Sequence, residues 1–259
     1  MSIKTSEEIS IMREGGRRHV EILLKLAELS KPGTAVADLD QKGRQLIEDF
    51  GGLPSFLNYT PEGAPRPYPS AVCVSVNHEI VHGVSSESVY ILKEGDVVSI
   101  DLGFTYKNLI TDAAVTVGVG KIDEKKKKLL SATQQALKNA VKSVKHSSSV
   151  GDIGSAVMEV AKKNSLEVVK NLAGHGVGYS VHEDPFIPNT GKKGSGEKLL
   201  EGMVLAIEPM LTFGNGEISL EADGFTYSTF DDTLSAHFEQ TVVVTKKGVE
   251  VLTPFSITF

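Results

Sequence analysis

Apolar residues recur at helical spacing between Ser6 and Leu29, at Ile9, Met12, Val20, Leu23, Leu24 and Ala27, and Pro32-Gly33 stops the run. The pattern predicts a second helix over Val36 to Phe50, with Thr34 as its N-cap. Proline and glycine crowd residues 51–69, which predicts a loop. Three β-type runs follow, Ala71 to Val76, Val97 to Leu102 and Ala113 to Val119. Two further helices, Glu124 to Val144 and Gly151 to Asn164, precede strand-like runs at Val204 to Ile207 and Thr241 to Val244.

Two helices followed by strands occur twice, and the letters repeat with them. Leu92-Lys93-Glu94-Gly95-Asp96-Val97-Val98-Ser99-Ile100-Asp101 aligns with Leu199-Leu200-Glu201-Gly202-Met203-Val204-Leu205-Ala206-Ile207-Glu208, an offset of 208 − 101 = 107. Each copy runs an apolar strand into a carboxylate. Asp112-Ala113-Ala114-Val115-Thr116-Val117 resembles Glu239-Gln240-Thr241-Val242-Val243-Val244, and Val81-His82-Gly83 resembles Gly174-His175-Gly176. The paired carboxylates lie 112 − 101 = 11 residues apart in the first copy and 239 − 208 = 31 in the second. An added hairpin turning at Asn215-Gly216 accounts for the extra length. Helices first, then hairpin-like strands, predict an α+β architecture: one domain over 1–259, with halves of about 1–122 and 123–259 and a mainly antiparallel central sheet covered by helices.

Composition narrows the function classes. The chain has 259 residues, 40% hydrophobic and 23% charged, ordinary for a globular protein. A formal charge of −6 argues against nucleic acid or a membrane surface as partner. The basic run Lys125 to Lys128 reads as a solvated helix face. One cysteine excludes a disulfide framework and points to the reducing cytoplasm, and no apolar stretch suits a membrane span or signal peptide.

Chemistry enters with the duplicated carboxylates. Packed about a pseudo-two-fold axis, the halves bring Asp101, Asp112, Glu208 and Glu239 together, with His175 beside them. Four desolvated carboxylates repel one another unless cations neutralise them, and two divalent ions match the four charges. Oxygen ligands with one imidazole favour Mn, Fe(II), Co or a catalytic Zn. Other chemistries fit less well. No G-x-S-x-G elbow is present, Ser195 falls in a flexible loop, and Cys73 sits in an apolar run as a buried or pocket-wall thiol.

At these residues the chain resembles type I methionine aminopeptidases, from the first helix to Leu252-Thr253-Pro254. The likeness is carried by Ser75-Val76-Asn77 leading to His82-Gly83, by Ile100-Asp101 with Asp112, and by Gly174-His175-Gly176-Val177-Gly178 with His182-Glu183-Asp184-Pro185. Ile207-Glu208-Pro209-Met210 and Ser235-Ala236-His237-Phe238-Glu239 complete it. The resemblance implies the pita-bread fold, two divalent ions held by Asp101, Asp112, His175, Glu208 and Glu239, and a hydroxide between the ions as nucleophile. It makes Glu208 the proton shuttle, places His182 at the scissile carbonyl and His82 at the amide nitrogen, and lines the side-chain pocket with Tyr68, Cys73, His82, Val181 and Phe225. It also implies a cytoplasmic monomer acting on the N-terminal Met of nascent chains at the ribosome. Against the family pattern, Phe225 replaces a usual Trp, Val181 a Phe, Val81 a Cys and His237 a Gln. Two relatives fit less well: Xaa-Pro peptidases carry a large extra N-terminal domain, and type II enzymes a helical insertion that the 208 − 175 = 33 residues here do not hold. A non-catalytic pita-bread binding protein would tend to lose ligands, and all five positions are filled.

Overall fold

Thr5 and Glu8 close a capping box, Glu8 N–H donating to Thr5 Oγ1 at 3.2 Å and Thr5 N–H to the Glu8 carboxylate at 2.7 Å, and this starts helix α1, Ser6–Leu29. The computed structural model describes residues 2–61 and 63–259. Helix α2 spans Val36–Asp49. Its N-cap is Ala35, not Thr34. The Thr34 hydroxyl instead donates to Leu29 O at 2.9 Å and satisfies a carbonyl at the end of α1. Strands β1 (Leu53–Pro54), β2 (Cys73–Val76), β3 (Glu79–Val81), β4 (Val97–Tyr106) and β5 (Leu109–Gly118) complete the first half.

The second half repeats the order. Helices α3 (Glu124–Ser143) and α4 (Val150–Lys163) precede β6 (Glu167–Val168), β7 (Ala173–Gly176), β8 (Glu183–Pro188) and β9 (Val204–Ile207). After them come β10 (Met210–Thr212), β11 (Ile218–Leu220), β12 (Tyr227–Thr229), β13 (Ser235–His237), β14 (Gln240–Thr245) and β15 (Gly248–Val251). Every ladder is antiparallel. The expected extra hairpin is present, but its turn lies at Asp223-Gly224 between β11 and β12, with Phe225 and Thr226 N–H donating to the Asp223 carboxylate. Asn215-Gly216 instead marks the passage from β10 to β11.

Period-two alternation decides which face meets the helices. Val98, Ile100, Leu102 and Phe104 of β4, Ala113 and Val115 of β5, Leu205 and Ile207 of β9, and Val242 and Val244 of β14 share one buried core with Leu26 of α1, Leu137 of α3 and Val157 of α4. The intervening residues, Asp101, Asp112, Ala114, Ala206 and Thr241 among them, face the other way. A slip of one residue would push carboxylates into the helical core, so this register is strongly specified. α1 can lie close because Gly16 has no side chain: a Cβ there would meet Leu252 O at 2.1 Å.

The two larger sheets join along β5 and the β13–β14 segment. Glu239 N–H donates to Ala114 O at 2.9 Å, and Ala114 N–H returns a bond to Glu239 O at 3.4 Å. On either side a threonine hydroxyl stands between the backbones. Thr241 Oγ1 accepts from Asp112 N–H at 2.8 Å and donates to Asp112 O at 2.7 Å. Thr116 Oγ1 accepts from His237 N–H at 2.8 Å and donates to His237 O at 2.6 Å.

Two segments are more tied down than their composition suggests. Within the basic run, Lys126 donates to Gly95 O at 2.5 Å and Lys125 lies over the Phe213 ring at 4.7 Å. The loop with Ser195 is fastened to the start of α4, where Gly151 N–H donates to Ser195 O at 3.0 Å.

Candidate active site

β4 and β5 form one long hairpin closed at Lys107-Asn108, both with positive φ, as a two-residue turn of this kind requires. Its register pairs Asp101 with Ala114 and Gly103 with Asp112. Asp101 and Asp112 are therefore diagonal neighbours on one face, close enough for their side chains to interact. The spacing of 11 has this meaning only in this register. Asp101 lies inside the strand rather than at its end, because β4 continues to Tyr106 to pair with all of β5.

The second half builds its pair differently. Gln240 pairs with Ile207, so one step further Glu208, just past β9, stands opposite Glu239, just before β14. His175 of β7 pairs with Ala206 of the same strand as Glu208's approach, and its Nε2 lies 3.4 Å from Glu208 Oε1. Because the seam pairs Ala114 with Glu239, Asp112 and Glu239 are diagonal neighbours across it. One ligand atom each from Asp112, His175 and Glu239 falls within a mutual 4.8 Å.

All five residues line one cavity. Burial and mutual repulsion act together there. Asp101 is pushed up to about 7 by burial, while Asp112, Glu208 and Glu239 are held well above the usual carboxylate range by burial and then by neighbouring carboxylates. Asp101 Oδ1 and Asp112 Oδ1 are buried with no hydrogen-bond partner among the described residues. His175 is held neutral, its pKa lowered to about 3, chiefly by burial. Its Nδ1 lies 2.9 Å from Gly176 O, so we assign the ring proton there and leave the Nε2 lone pair free. Orphaned carboxylate oxygens beside a neutral, oriented imidazole are what a divalent cation needs, and the residues fit such ions.

The wall of the cavity is apolar. Tyr68, Cys73, Val181 and Phe225 pack as one buried cluster with Phe56, and Tyr68 meets Phe225 edge-on at 5.2 Å. Cys73 pairs with Asp101 across β2 and β4, and burial followed by that carboxylate raises its thiol well above its ordinary value. Cys73 lines the cavity, and a thiol kept protonated in this way is a poor nucleophile. Arg66 lies over Phe225 at 5.5 Å and holds Glu87 through two bonds of 2.6 and 2.7 Å, strapping the loop across the pocket. Phe56, Tyr59 and Pro61 also line the cavity. All three fall in a stretch that the sequence marks only as loop, where the aromatic side chains of Phe56 and Tyr59 are the one available signal.

Two histidines stand above the carboxylates. His82 follows β3 with φ 61°, a left-handed conformation uncommon for a non-glycine residue, and burial lowers its pKa to about 4. His182 lies in the turn between β7 and β8, with its ring 4.5 Å from that of His175 and Tyr59 OH 3.0 Å from its Nδ1. Burial lowers its pKa as well. His237 is buried 3.7 Å from Glu208, neither ring nitrogen having a hydrogen-bond partner among the described residues.

A helix-backed antiparallel platform that gathers four desolvated carboxylates and a neutral imidazole under an apolar pocket defines a metallohydrolase of the pita-bread type. The chain belongs to metallopeptidase family M24, which it matches over residues 10–246. It is 42% identical to the methionine aminopeptidase of Aquifex aeolicus over 98% of both chains. The crystal structure of methionine aminopeptidase from Thermotoga maritima superimposes with a TM-score of 0.93 at 38% identity, covering 98% of this chain and 100% of that one. Prolidase from Pyrococcus furiosus shares the fold at TM-score 0.75 and 25% identity, but this chain covers only 66% of it. Among the described residues, no helix is long and apolar enough to cross a membrane.

Proposed function

We propose that this chain is a methionine aminopeptidase, hydrolysing the bond after an N-terminal Met. The observation that carries the reading is one cavity with a carboxylate floor and an apolar wall. Asp101, Asp112, His175, Glu208 and Glu239 would hold two divalent ions, of Mn, Fe(II), Co or Zn, with Asp112, His175 and Glu239 at the centre of the cluster. When bound, such ions neutralise the carboxylates, lower the pKa of water and polarise the substrate carbonyl.

The chain's own groups supply the rest. Glu208, on the cavity floor, takes a proton from the attacking water and returns it to the leaving amine. His182, neutral and with Tyr59 at Nδ1, presents Nε2–H to the carbonyl oxygen as negative charge develops. His82 holds the amide nitrogen on the other side. The wall of Tyr68, Cys73, Val181 and Phe225 excludes water and receives the unbranched thioether side chain. The substrate's free amine faces the carboxylate floor, which confines the activity to chain ends.

We read the chain as one catalytic domain made of two halves, about 1–122 and 123–259, since the proposed ligands come from both. We place it in the cytoplasm as a monomer acting on nascent chains, consistent with a single buried cysteine. An Xaa-Pro peptidase is the weaker reading, because identity to the prolidase is 25% against 42% to a methionine aminopeptidase.

The deciding experiment adds Mn, Co, Fe(II) or Zn to chelator-treated protein and offers Met-Gly-Met and Xaa-Pro peptides. Release of Met from the first is expected; no release with any metal overturns the reading.

A further inference from the structure

His182 is carried by a short turn, and that turn is held by a residue from the other end of the chain. Glu183, next to His182, accepts from Tyr179 N–H at 2.5 Å and from Ser180 N–H at 3.0 Å through one carboxylate oxygen. Its other oxygen accepts from Lys4 Nζ at 2.6 Å and from the Ser2 hydroxyl. The Lys4 side chain is fully buried, an unusual place for an ammonium unless it is paired. It also lies over the Tyr179 ring at 4.5 Å and donates to Ser2 Oγ. Lys4 N–H is itself fixed to Gly202 O at 2.9 Å, so the strut is anchored at its base.

The turn is shaped to receive this lysine. Gly178 has φ 145°, and a Cβ there would sit 2.3 Å from Lys4 Cε. Gly178 O accepts from Ile110 N–H at 2.8 Å, which ties the same turn to β5 two residues before Asp112. The turn thus rests on β5 on one side and on the N-terminal segment on the other, with Val181 and His182 at its tip.

We propose that Lys4, acting through Glu183, is a positioning residue that holds His182 against the scissile carbonyl, so that the N-terminal segment is a working part of the active site. The proposal rests on the peptidase reading above. A buried salt bridge need not add to stability, since desolvation offsets much of its Coulombic gain; what this one does in the fold is join the N-terminal segment to the turn that carries His182. A displacement of His182 of about 1 Å costs up to about a hundredfold in rate.

The test uses Lys4→Met in the full-length, metal-loaded enzyme. A fall in kcat of about ten- to hundredfold with KM nearly unchanged is expected. In the His182→Ala background the same substitution should cost almost nothing further, since residues acting through one group are non-additive. In chelator-treated Lys4→Met protein, amide exchange should speed up at Tyr179 and Ser180 while β4 stays protected. An unchanged kcat, or an equal loss with and without His182, overturns the proposal. Should Lys4→Met fail to fold, Glu183→Gln removes the charge yet keeps an acceptor for the turn, and its cycle with His182→Ala decides instead. Wild-type enzyme that releases no Met would instead remove the underlying reading, and the exchange measurement would still test the brace.

Discussion

Tyr59 OH lies 3.0 Å from Nδ1 of His182, joining residues 123 positions apart in the sequence, with the two rings 5.5 Å between centroids. Burial raises the Tyr59 pKa and lowers that of His182, so a neutral phenol meets a neutral imidazole. We assign the phenol as donor, which places the ring proton on Nε2, where it can meet a carbonyl oxygen. Tyr59→Phe should therefore lower kcat by about five- to tenfold, the worth of one hydrogen bond of ~1 kcal/mol, with little change in KM. Steady-state kinetics check this, and a proportionate rise in KM alone would count against it.

Thr241 is expected to matter for metal affinity although it is no ligand. Its hydroxyl spans Asp112 N–H and Asp112 O, and its own N–H donates to Thr253 Oγ1 at 2.8 Å. Thr241→Val keeps the shape but leaves a buried N–H and C=O of Asp112 unpaired. Partners of this kind behind a ligand are worth about 10- to 100-fold in affinity. Competition with a chromophoric chelator measures it; unchanged affinity would refute the seam's role in placing Asp112.

Metal removal should reverse the protein's response to pH. The floor carboxylates have raised pKa values, Asp101 at about 7, so the metal-free folded state keeps protons that the unfolded chain has released. That contribution is lost as pH rises through the folded values. His19, His175 and His237 at about 3 and His82 at about 4 act oppositely, because the unfolded chain gains protons below about 6.5 and the folded one does not. Between pH 4 and 6.5 the two trends oppose each other; above it only the carboxylates titrate. Chelator-treated protein should melt at a lower temperature at pH 8 than at pH 6.5, and Mn should raise Tm most at pH 8. A calorimetric Tm that does not fall at pH 8 without metal would contradict this.

Phe225 shapes the pocket from the β11–β12 hairpin. Phe225→Leu removes the edge-on contact with Tyr68, worth about 0.5–1.5 kcal/mol, and opens space beside Val181. The variant should be less stable by about 1 kcal/mol and should discriminate less between N-terminal Met and bulkier residues. Ratios of kcat/KM across a peptide series report it, and undiminished discrimination would argue that Phe225 only packs.

The duplicated pattern was legible from residue types alone: helical periodicity in α1 to α4, apolar runs at β4, β9 and β14, and a carboxylate at the same place in each copy. Periodicity survives in one dimension because each helix or strand must bury one face. The limits of β4 and β5 were not legible, since Phe104 to Ile110 reads as the end of one run and a gap, and only pairing through Lys107-Asn108 makes it one hairpin. Nor could Phe56 and Tyr59 be found in a proline-rich stretch, because a loop carries no period.

What the sequence determined by itself was the set of chemical groups and their repetition in each half. What only the tertiary structure decided was the seam, where Ala114 meets Glu239 and Thr241 meets Asp112, since non-local register depends on contacts between segments more than a hundred residues apart. The same holds for Lys4 at Glu183 and Tyr59 at His182. Side chains that act by where they end up, rather than by repeating along an element, leave no periodic trace in the chain, and the three-dimensional packing alone brings them to the site.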